Sequence, residues 1–492
     1  MLRKQNVAQR EMRDLKREIK KIPYLRRLKK IAELYRINIY LVGGFLRDFF
    51  LKSSLEARDF DFALNRNVFS LARKFSAAIG GSFVVLDRKI KKNARVVKKY
   101  KGRILHYDFS LLRAKDIAED LKQRDFTINS LGLDIKDFRE MKLLGDEQAF
   151  IDLKKKTLRL SYKDALLDDP LRILRAFSLA ALYGFKLAPS LLKEIYRQRQ
   201  LLSKVAGERI SEELFKIFSS ESAGRLAIKM DKVFIWDELF PQVKLCRGLK
   251  QGPYHHLDVW AHSLETLRQL EKLLRHNFFQ RGEALGYLSY EISPRHTRRQ
   301  LIKLACLLHD LGKPQAKRKR RGKLIFWEHE KIGRDFACQI SQRLKLSKRE
   351  ESFLANLVYF HLRPGYLTDN LSLSPRAVFR FFRAAKEDSP AVILLSLADL
   401  DATRGPLIDK RRRRRQRKLF FSLWEKYWES KRKNTLPRLV NGFDIMRGAG
   451  INPSPLVGEI LRKIEEEQAL GNIKTAAQAL NLAKKLVKQL RK

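Results

Sequence analysis

The sequence predicts an α+β fold in which a small mixed α/β head precedes a long all-α body. Four short β-rich runs lie between residues 37 and 111, with a glycine-terminated helix among them. From Asp164 onward strand signals almost vanish, and apolar residues recur at helical spacing to the end of the chain. The length of 492 residues is enough for two to four domains.

The head begins with a basic helical stretch over residues 1–35, which we expect to break near Pro23. Four runs rich in β-branched and aromatic residues predict strands. They are INIYLVGG (37–44), RDFDFAL (58–64), GSFVVLD (81–87) and RILHYDFSL (103–111). VFSLARKFSAAIG (68–80) predicts a helix that ends at its glycine.

These patterns divide the chain into five predicted segments. They are a basic N-terminal extension (1–22), the head (23–160), a helical neck (161–235), a helical domain around a histidine cluster (236–405) and a basic helical C-terminal body (406–492).

The charge balance indicates a polyanionic partner. Lys and Arg number 104 against 55 Asp and Glu, which gives a formal net charge of +49. This excess goes beyond what solubility requires and favours nucleic acid over a solvated basic surface, in which acid would balance base. Two runs are extreme, Lys317 to Arg321 and Lys410 to Arg415. We expect each to lie on a loop or helix end and to contact phosphate.

The sequence also constrains location. No stretch approaches about 18 uninterrupted apolar residues, so no membrane-spanning helix is predicted. The N-terminus has basic residues but no apolar segment of the secretory type. Cys246, Cys306 and Cys338 are far apart, which excludes a disulfide scaffold and fits a reducing, cytoplasmic compartment.

A carboxylate pair and a glycine pair in the head indicate metal-assisted phosphoryl or nucleotidyl transfer. Asp59 and Asp61 are two apart on a predicted strand, so they face the same way and repel unless a cation lies between them. Oxygen ligands of this kind suit Mg²⁺. Gly43 and Gly44 follow a strand and open a helix, where backbone N–H groups can approach phosphate, and Arg47 lies one turn further on. Each element alone is more often a solvated strand face or a plain turn.

Five motifs in order give the head and neck a family resemblance. They are LVGGFLRD, RDFDFAL, RDFTINSL (124–131), DDPLRILRAF (168–177) and GERISEEL (207–214). This series resembles the class II tRNA nucleotidyltransferase and bacterial poly(A) polymerase family. The resemblance implies a polymerase-β-like palm in which Asp59 and Asp61 hold catalytic Mg²⁺, with Asp108 as a third carboxylate.

The same resemblance implies nucleotide-binding roles. Arg124 and Asp125 match the motif that contacts the nucleotide sugar and triphosphate, although this chain has Gln123 where the family usually has a first arginine. Asp169 and Arg172 match the motif that reads the incoming base, and we expect them to share one helix face. A helix-start ion pair is the alternative explanation. Arg175 is a further candidate for phosphate contact.

Histidines and aspartates of the middle segment form a second constellation. An H…HD…H…H…D order resembles the HD superfamily of metal-dependent phosphohydrolases. Its residues are His262, His309, Asp310, His329, His361 and Asp399. The resemblance implies a first metal on His262, His309, Asp310 and Asp399, with His329 and His361 completing a second site. Asp401 competes with Asp399, since helical register does not exclude it. Mixed imidazole and carboxylate ligands suit Mg²⁺, Mn²⁺ or a transition metal.

The leading functional hypothesis is an RNA nucleotidyltransferase that adds C, A or both from CTP and ATP to the 3′ end of tRNA without a template. A poly(A) polymerase is the alternative within the same class. Two alternatives belong to other functional classes. One is a metal-dependent phosphohydrolase that acts on RNA-terminal or cyclic phosphates, and the other is a non-catalytic RNA-binding protein. The C-terminal body resembles the family's RNA-docking region. No membrane partner is predicted, and the sequence does not determine the oligomeric state.

Overall fold

The computed structural model describes the chain apart from residues 1, 53–58, 87–91, 137–140, 281, 295, 370–371, 433–436 and 491–492. The strands predicted over 58–64 and 81–87 reach Arg58 and Asp87, which lie outside the described residues. The chain divides into two compact units, Met1–Val205 and Ala206–Lys492.

The first unit is built on a seven-stranded mixed sheet. Its helices are α1 (Leu2–Lys20), α2 (Leu25–Leu34), α3 (Gly44–Phe50), α4 (Val68–Ile79), α5 (Ile117–Lys122), α6 (Glu147–Lys155), α7 (Ala165–Asp168), α8 (Arg172–Tyr183) and α9 (Pro189–Gln198). Its strands are β1 (Ile39–Val42), β2 (Asp59–Leu64), β3 (Ser82–Val85), β4 (Asn93–Tyr100), β5 (Arg103–Leu111), β6 (Leu131–Asp134) and β7 (Leu143–Gly145), with β8 (Thr157–Leu158) and β9 (Lys186–Leu187) as a separate parallel pair. The sheet order is β3-β4-β5-β2-β1-β6-β7.

Period-two alternation gives the two central strands one apolar and one polar face. β2 and β5 are parallel neighbours, and the rings of Phe60 and Phe62 stack on those of Tyr107 and Phe109 at 5.4 and 5.6 Å. Phe75 of α4 packs edge-on against both β5 rings. Burial of these aromatic rings supplies the main driving force for the head core. The opposite face is therefore left for the polar residues of the same strands.

The four predicted strands are confirmed as β1, β2, β3 and β5, and α4 ends as predicted at Gly80, whose φ is 60°. The strand β4 and the short strands β6 to β9 of this unit were not predicted from the sequence. Strand β4 reads NARVVKKY, in which charge masks the alternation, yet Ala94 and Val96 are buried. Pairing with β5 along its whole length stabilises this strand. The short strands β6 and β7 extend the edge of the sheet, where β6 pairs with β1 and β7 pairs with β6.

The second unit is helical apart from two short hairpins. Its helices are α10 (Gly207–Ser219), α11 (Ala223–Asp231), α12 (Ile235–Leu239), α13 (Val243–Cys246), α14 (Val259–Leu274), α15 (Gly282–Ser289), α16 (Arg298–Leu308), α17 (Lys313–Ala316), α18 (His329–Arg343), α19 (Lys348–Phe360), α20 (Arg363–Thr368), α21 (Pro375–Ala385), α22 (Ser389–Ala402), α23 (Lys410–Arg432), α24 (Gly442–Ala449), α25 (Pro455–Ala469) and α26 (Ala476–Leu490). The hairpins pair β10 (Glu291–Ser293) with β11 (His296–Thr297), and β12 (Arg318–Arg320) with β13 (Lys323–Ile325).

The core of the second unit lies around α14, α16 and α22. Helix α22 reads SPAVILLSLADLDA and is buried on nearly all sides, which is typical of a helix enclosed by others. Helices α24 to α26 enclose a separate apolar cluster around Ile445, Ile460 and Ala483. None of the helices formed by the described residues is both long and apolar enough to cross a membrane.

The two basic runs adopt different structures. Lys410 to Arg415 begin α23, as expected for a helix end. The prediction of a loop or helix end for Lys317 to Arg321 is wrong, because Arg318–Arg320 form strand β12. The two-residue turn at Arg321 and Gly322 explains the hairpin, since both residues have positive φ, 48° and 76°.

Candidate active sites

Three head carboxylates occupy the polar face of the two central strands. In the β2–β5 register Asp59 lies opposite His106, and Asp61 lies opposite Asp108. All four side chains project from the face opposite the aromatic core, since their neighbours along each strand are buried. The structure therefore brings together the three carboxylates that the sequence analysis proposed as catalytic.

The electrostatics of this face favour a cation. Burial, reinforced by the charges of Asp108 and Asp59, raises the pKa of Asp61 to about 6, and Arg124 and Arg175 only partly offset this. Asp108 accepts two hydrogen bonds from the Arg95 guanidinium, at 2.6 and 2.7 Å. Nδ1 of His106 lies 2.7 Å from Asp59 Oδ1. A divalent ion beside Asp59 and Asp61 would relieve the repulsion that raises the pKa, so the residues fit a metal.

Of the two glycines, Gly43 is the one required by contact with Asp61. Gly43 has φ 76° and ψ −136°, a conformation that residues with a Cβ rarely adopt. A Cβ at this position would lie 3.0 Å from Asp61 Oδ2. Gly44 then begins α3 with ordinary geometry. The backbone thus passes directly over the carboxylate, where a nucleotide phosphate would meet backbone N–H groups.

Arg47 is committed to contacts within the protein. It is 7% exposed, and its guanidinium donates to Asp48, Asn129 and the hydroxyl of Tyr183. The guanidinium also lies 4.4 Å from the centroid of the Tyr183 ring. In this arrangement Arg47 fixes α3 to its surroundings, and its phosphate contact remains a prediction.

The RDFTINSL motif forms a second charged network beside the carboxylates. Arg124 donates to Asp120 through Nε and Nη2. Asp125 accepts from Asn129 and from the Phe126 N–H, and Nε of Arg175 lies 3.2 Å from its Oδ2. Burial alone would raise the pKa of Asp125, but Arg175 and these hydrogen bonds outweigh it and lower the pKa. Asp125 is therefore held as a buried anion that positions Arg175, whose side chain is 48% exposed.

The expectation that Asp169 and Arg172 share a helix face is wrong. Helix α7 ends at Asp168 and α8 begins at Arg172, with extended backbone at Asp169 (φ −144°, ψ 97°). Pro170 explains the break, because the residue before a proline is disfavoured in helical conformation. The Asp169 carboxylate accepts from the Leu171 N–H at 3.3 Å. Arg172 donates through Nη1 to the Ala165 carbonyl and the Tyr162 hydroxyl.

In the second unit the six predicted metal ligands converge. Atoms of His262, His309 and Asp399 lie within 4.8 Å of one another, and so do atoms of Asp310, His329 and His361. Asp310 connects the two groups, since its Oδ2 lies 3.3 Å from His309 Nε2 and its Oδ1 lies 3.3 Å from His329 Nε2. From the sequence, Asp310 was expected in the first group only. The geometry instead places its carboxylate between the two candidate ligand groups.

Backbone carbonyls fix the tautomers of three histidines. Nδ1 of His309, His329 and His361 donates to the carbonyl three residues earlier, at 2.9, 2.8 and 2.6 Å. This leaves each Nε2 directed at the cluster as a lone-pair donor, as a metal ligand requires. Burial lowers the pKa of His361 to about 3, with His309 and His329 adding to the effect, so its ring is neutral.

Unsatisfied atoms in this cluster indicate that a cation belongs there. His309 Nε2 and Asp310 Oδ1 are buried without a hydrogen-bond partner. Burial would raise the pKa of Asp399, but the hydrogen bond with His262 and the nearby histidines lower it well below its usual value. A buried orphan nitrogen beside an ionised carboxylate fits a divalent metal. These donors are the residues that would hold it.

Contacts distinguish Asp399 from Asp401. Oδ1 of Asp399 lies 2.8 Å from His262 Nε2. Asp401 instead faces α23, where it pairs with Arg413 and Arg417. Asp399, and not Asp401, therefore lies among the histidines, because helix residues two positions apart point to different faces.

Several residues of the two sites escaped the sequence analysis. Arg95 and His106 hold head carboxylates, and their signal was faint, since β4 was not recognised as a strand. In the second unit Lys313 donates from Nζ to Asp310 Oδ2 and Gln251 Oε1, both at 2.6 Å. Its position three residues after Asp310, in HDLGKP, was the available signal. His255, which the sequence places just before the cluster as a neighbouring or surface residue, lies edge-on to His262 with 5.0 Å between ring centroids.

Comparisons with protein families match three regions of the chain. Residues 39–159 match the poly A polymerase head domain, and residues 259–403 match the HD domain. Residues 184–246 match a family described as a probable RNA and SrmB-binding site of polymerase A. The matched regions therefore include the three head carboxylates and all six candidate metal ligands of the second unit.

Whole-chain relatives and a solved structure extend this similarity. The A-adding tRNA nucleotidyltransferase of Deinococcus radiodurans is 30% identical over 89% of this chain and 93% of its own. The CC-adding tRNA nucleotidyltransferase of Geobacter sulfurreducens is 30% identical over 92% of this chain and 94% of its own. The Thermotoga maritima CCA-adding enzyme, solved with tRNA, has a TM-score of 0.61 at 20% identity and covers 94% of both chains. The similarity to the Thermotoga maritima structure establishes the fold.

Proposed function

The chain belongs to the family of tRNA nucleotidyltransferases, and we propose that its head adds C, A or both to the 3′ end of tRNA from CTP and ATP. The observation that carries the proposal is the carboxylate face of β2 and β5, with Gly43 packed against Asp61. The relatives that match nearly the whole chain carry A-adding and CC-adding activities, which favours tRNA extension over poly(A) synthesis. Such a reaction and its substrates are typical of the cytoplasm.

In the proposed reaction the terminal 3′ hydroxyl of the RNA releases its proton to solvent as its oxygen bonds to the α-phosphorus of the nucleotide. The bond between that phosphorus and the bridging oxygen of the β-phosphate breaks, and pyrophosphate leaves. Asp59 and Asp61 would hold divalent ions, with Mg²⁺ the choice that suits oxygen ligands. When bound, these ions supply charge neutralisation at the attacking and leaving oxygens.

The remaining roles belong to side chains around the carboxylates. Arg95 and His106 hold Asp108 and Asp59 in place through hydrogen bonds of 2.6 to 2.7 Å. Arg124 and Arg175 are positioned by buried aspartates and present positive charge to a triphosphate. Asp169 and Arg172, joined by a turn at Pro170, remain the proposed pair that reads the base.

Primer extension tests this function. Purified protein with Mg²⁺ is incubated with tRNA transcripts that end before CCA, after C or after CC, each with CTP, ATP or both. We expect addition that stops at a defined position, and we expect Asp59→Ala to abolish it while RNA binding persists. Glu33→Ala, which removes a half-exposed carboxylate of α2 in the same unit, is the matched control. Long A tails on any RNA would contradict the proposal.

A second activity is proposed for the histidine cluster, metal-dependent hydrolysis of phosphate esters at RNA termini or in cyclic nucleotides. Asp310 shared between two ligand groups is the observation that favours it. A water oxygen would bond to phosphorus as one P–O ester bond breaks, and the released alcohol oxygen takes the proton. Metal ions held there would activate the water. Lys313, beside Asp310, is placed to bind the phosphate.

A further inference from the structure

The β12–β13 hairpin presents an unusually dense positive charge. Lys317, Arg318, Lys319, Arg320 and Arg321 are consecutive, and all five are exposed. Strand pairing of Arg318 with Ile325 and of Lys319 with Leu324 holds the arm in a defined shape. Because side chains alternate along a strand, the positive charge covers both faces of the hairpin.

Acidic side chains do not neutralise this arm. Within the part of the chain that the structure describes, none of the five forms an ion pair, although many other arginines of the second unit do. Arg318 donates only to the backbone carbonyls of Gln315 and Lys317. Unpaired basic charge on an exposed hairpin is typical of surfaces that bind phosphate chains.

An exposed aromatic ring lies at the base of the arm. Trp327 is 62% exposed, and the Arg320 guanidinium lies 5.0 Å from its ring centroid. Most of the Trp327 ring is therefore open to a ligand from solvent. An aromatic ring beside basic side chains is the arrangement on which single-stranded bases stack.

The arm leads directly into the histidine cluster. His329 begins α18 two residues after Trp327, and its Nδ1 donates to the carbonyl of Phe326. The ring of Phe326 also lies 5.9 Å from Lys313 Nζ. The residue that joins hairpin and helix is thus in contact with both a metal-ligand candidate and the lysine beside Asp310.

From these contacts we propose that the segment Lys317–Trp327 is an arm that binds single-stranded RNA and brings its end to the histidine cluster. Lys317, Lys319 and Arg321 bind phosphates, and Trp327 stacks on a base. Delivery of the RNA end to the cluster rests on the hydrolytic activity proposed above. It makes an RNA end, rather than a free nucleotide, the substrate of that cluster. RNA binding by the arm does not depend on hydrolysis.

Binding of a fluorescein-labelled 12-nucleotide oligoribonucleotide to the full chain tests the arm. The triple variant Lys317→Gln, Lys319→Gln, Arg321→Gln is expected to bind about tenfold more weakly near 0.1 M salt, with the slope of log affinity against log salt reduced by about 2. The control triple Lys272→Gln, Lys345→Gln, Arg349→Gln removes equal charge from exposed positions of the same unit. It should bind within about twofold of wild type.

Tryptophan fluorescence gives a local readout. The emission of Trp327 is obtained by subtracting the spectrum of Trp327→Leu from that of wild type. We expect the oligonucleotide to quench this emission in wild type and to leave it unchanged in the hairpin triple. Equal RNA affinity in both triple variants, or no quenching in wild type, would contradict the proposal that the arm binds RNA. A hairpin triple that loses binding to phosphatidylcholine–phosphatidylserine vesicles but keeps RNA affinity would likewise overturn it.

Hydrolysis rates on a long and a short substrate test RNA delivery by the arm separately from the hydrolytic activity itself. With Mn²⁺ or Mg²⁺, the hairpin triple should lose about tenfold in kcat/KM on a 12-mer ending in a 2′,3′-cyclic phosphate and keep wild-type rates on 2′,3′-cyclic AMP. Equal losses on both substrates would contradict delivery. If wild type hydrolyses neither, the proposed hydrolytic activity and the delivery step are both rejected, and the binding measurements still decide the arm.

Discussion

At the residue scale, Gly43 allows the backbone to lie directly against the Asp61 carboxylate. The variant Gly43→Ala is unfavourable for two reasons. The φ of 76° is rarely adopted by alanine, and the alanine Cβ would lie 3.0 Å from Asp61 Oδ2. We expect nucleotide addition to fall at least about 100-fold, since displacements near 1 Å at a reacting centre have that effect. Stability should fall by about 1–3 kcal/mol.

Gly44→Ala is the matched control for Gly43→Ala. A Cβ there would lie 3.4 Å from Arg47 Nη2, and the residue begins a regular helix. Single-turnover addition and thermal unfolding of both variants check the prediction. Similar rates in the two variants would show that the Gly43 contact does not position Asp61.

Glu350 makes the second unit sensitive to acid. Its buried carboxylate accepts from Ser293 Oγ at 2.7 Å, from His296 at 2.5 Å and from the Ser347 N–H at 2.7 Å. Burial alone would raise the pKa of Glu350, but the bonds from His296 and Ser347 outweigh it and lower the pKa from 4.5 to about 2. The ionised form is therefore the one that folding favours.

A group with a lowered pKa stabilises the fold above its unfolded pKa and loses this contribution as pH falls through the folded value. Glu350→Gln is thus expected to cost roughly 2 kcal/mol at pH 6 to 7 and progressively less from pH 4.5 towards pH 2. Urea unfolding across this range measures the effect. Glu351→Gln, which loses only the 3.1 Å pair with exposed Lys348, should cost under about 0.5 kcal/mol throughout. A pH-independent loss in Glu350→Gln would refute the assignment.

At the level of elements, a buried ion pair joins three helices of the second unit. Nζ of Lys303 on α16 lies 3.2 Å from Glu271 Oε1 on α14 and donates to the Ser220 carbonyl. Glu271 Oε2 accepts from the N–H of Gly224 in the first turn of α11. The side chains of Lys303 and Glu271 are 3% and 5% exposed, so each charge depends on the other.

Lys303→Met should therefore destabilise the second unit by about 3–5 kcal/mol, because it leaves a buried carboxylate unpaired. Thermal unfolding is the measurement. The double variant Lys303→Met, Glu271→Gln is expected to lose less than the sum of the single losses, since it removes the stranded charge. Additive losses would mean that the two groups do not interact.

For the whole molecule, the two proposed activities lie in different units, so a variant of one site should lose one activity only. His309→Ala removes a Nε2 that points into the cluster, so we expect hydrolysis of 2′,3′-cyclic AMP to be abolished and tRNA extension to continue. Manganese retained after dialysis, measured by mass spectrometry, should fall as well. His276→Ala removes an exposed histidine of the same unit and should change neither. Loss of tRNA extension in His309→Ala would contradict the separation.

Local patterns in the sequence were enough to predict the fold class and most candidate residues. Alternation in RDFDFAL predicted β2 with Asp59 and Asp61 on one face, and the spacing of apolar residues predicted the helical body. These features depend on a few neighbouring residues, whose periodicity the chain itself displays. The order of motifs was likewise visible without three-dimensional information.

Tertiary structure alone decided how distant segments meet. It paired Asp108 with Arg95, buried Arg47 against Tyr183, shared Asp310 between two ligand groups and turned Asp401 away from the cluster. Each outcome depends on the register and packing of segments far apart in the chain. Local periodicity carries no information on such register, because the same side chain can face either of two neighbours until the whole core forms.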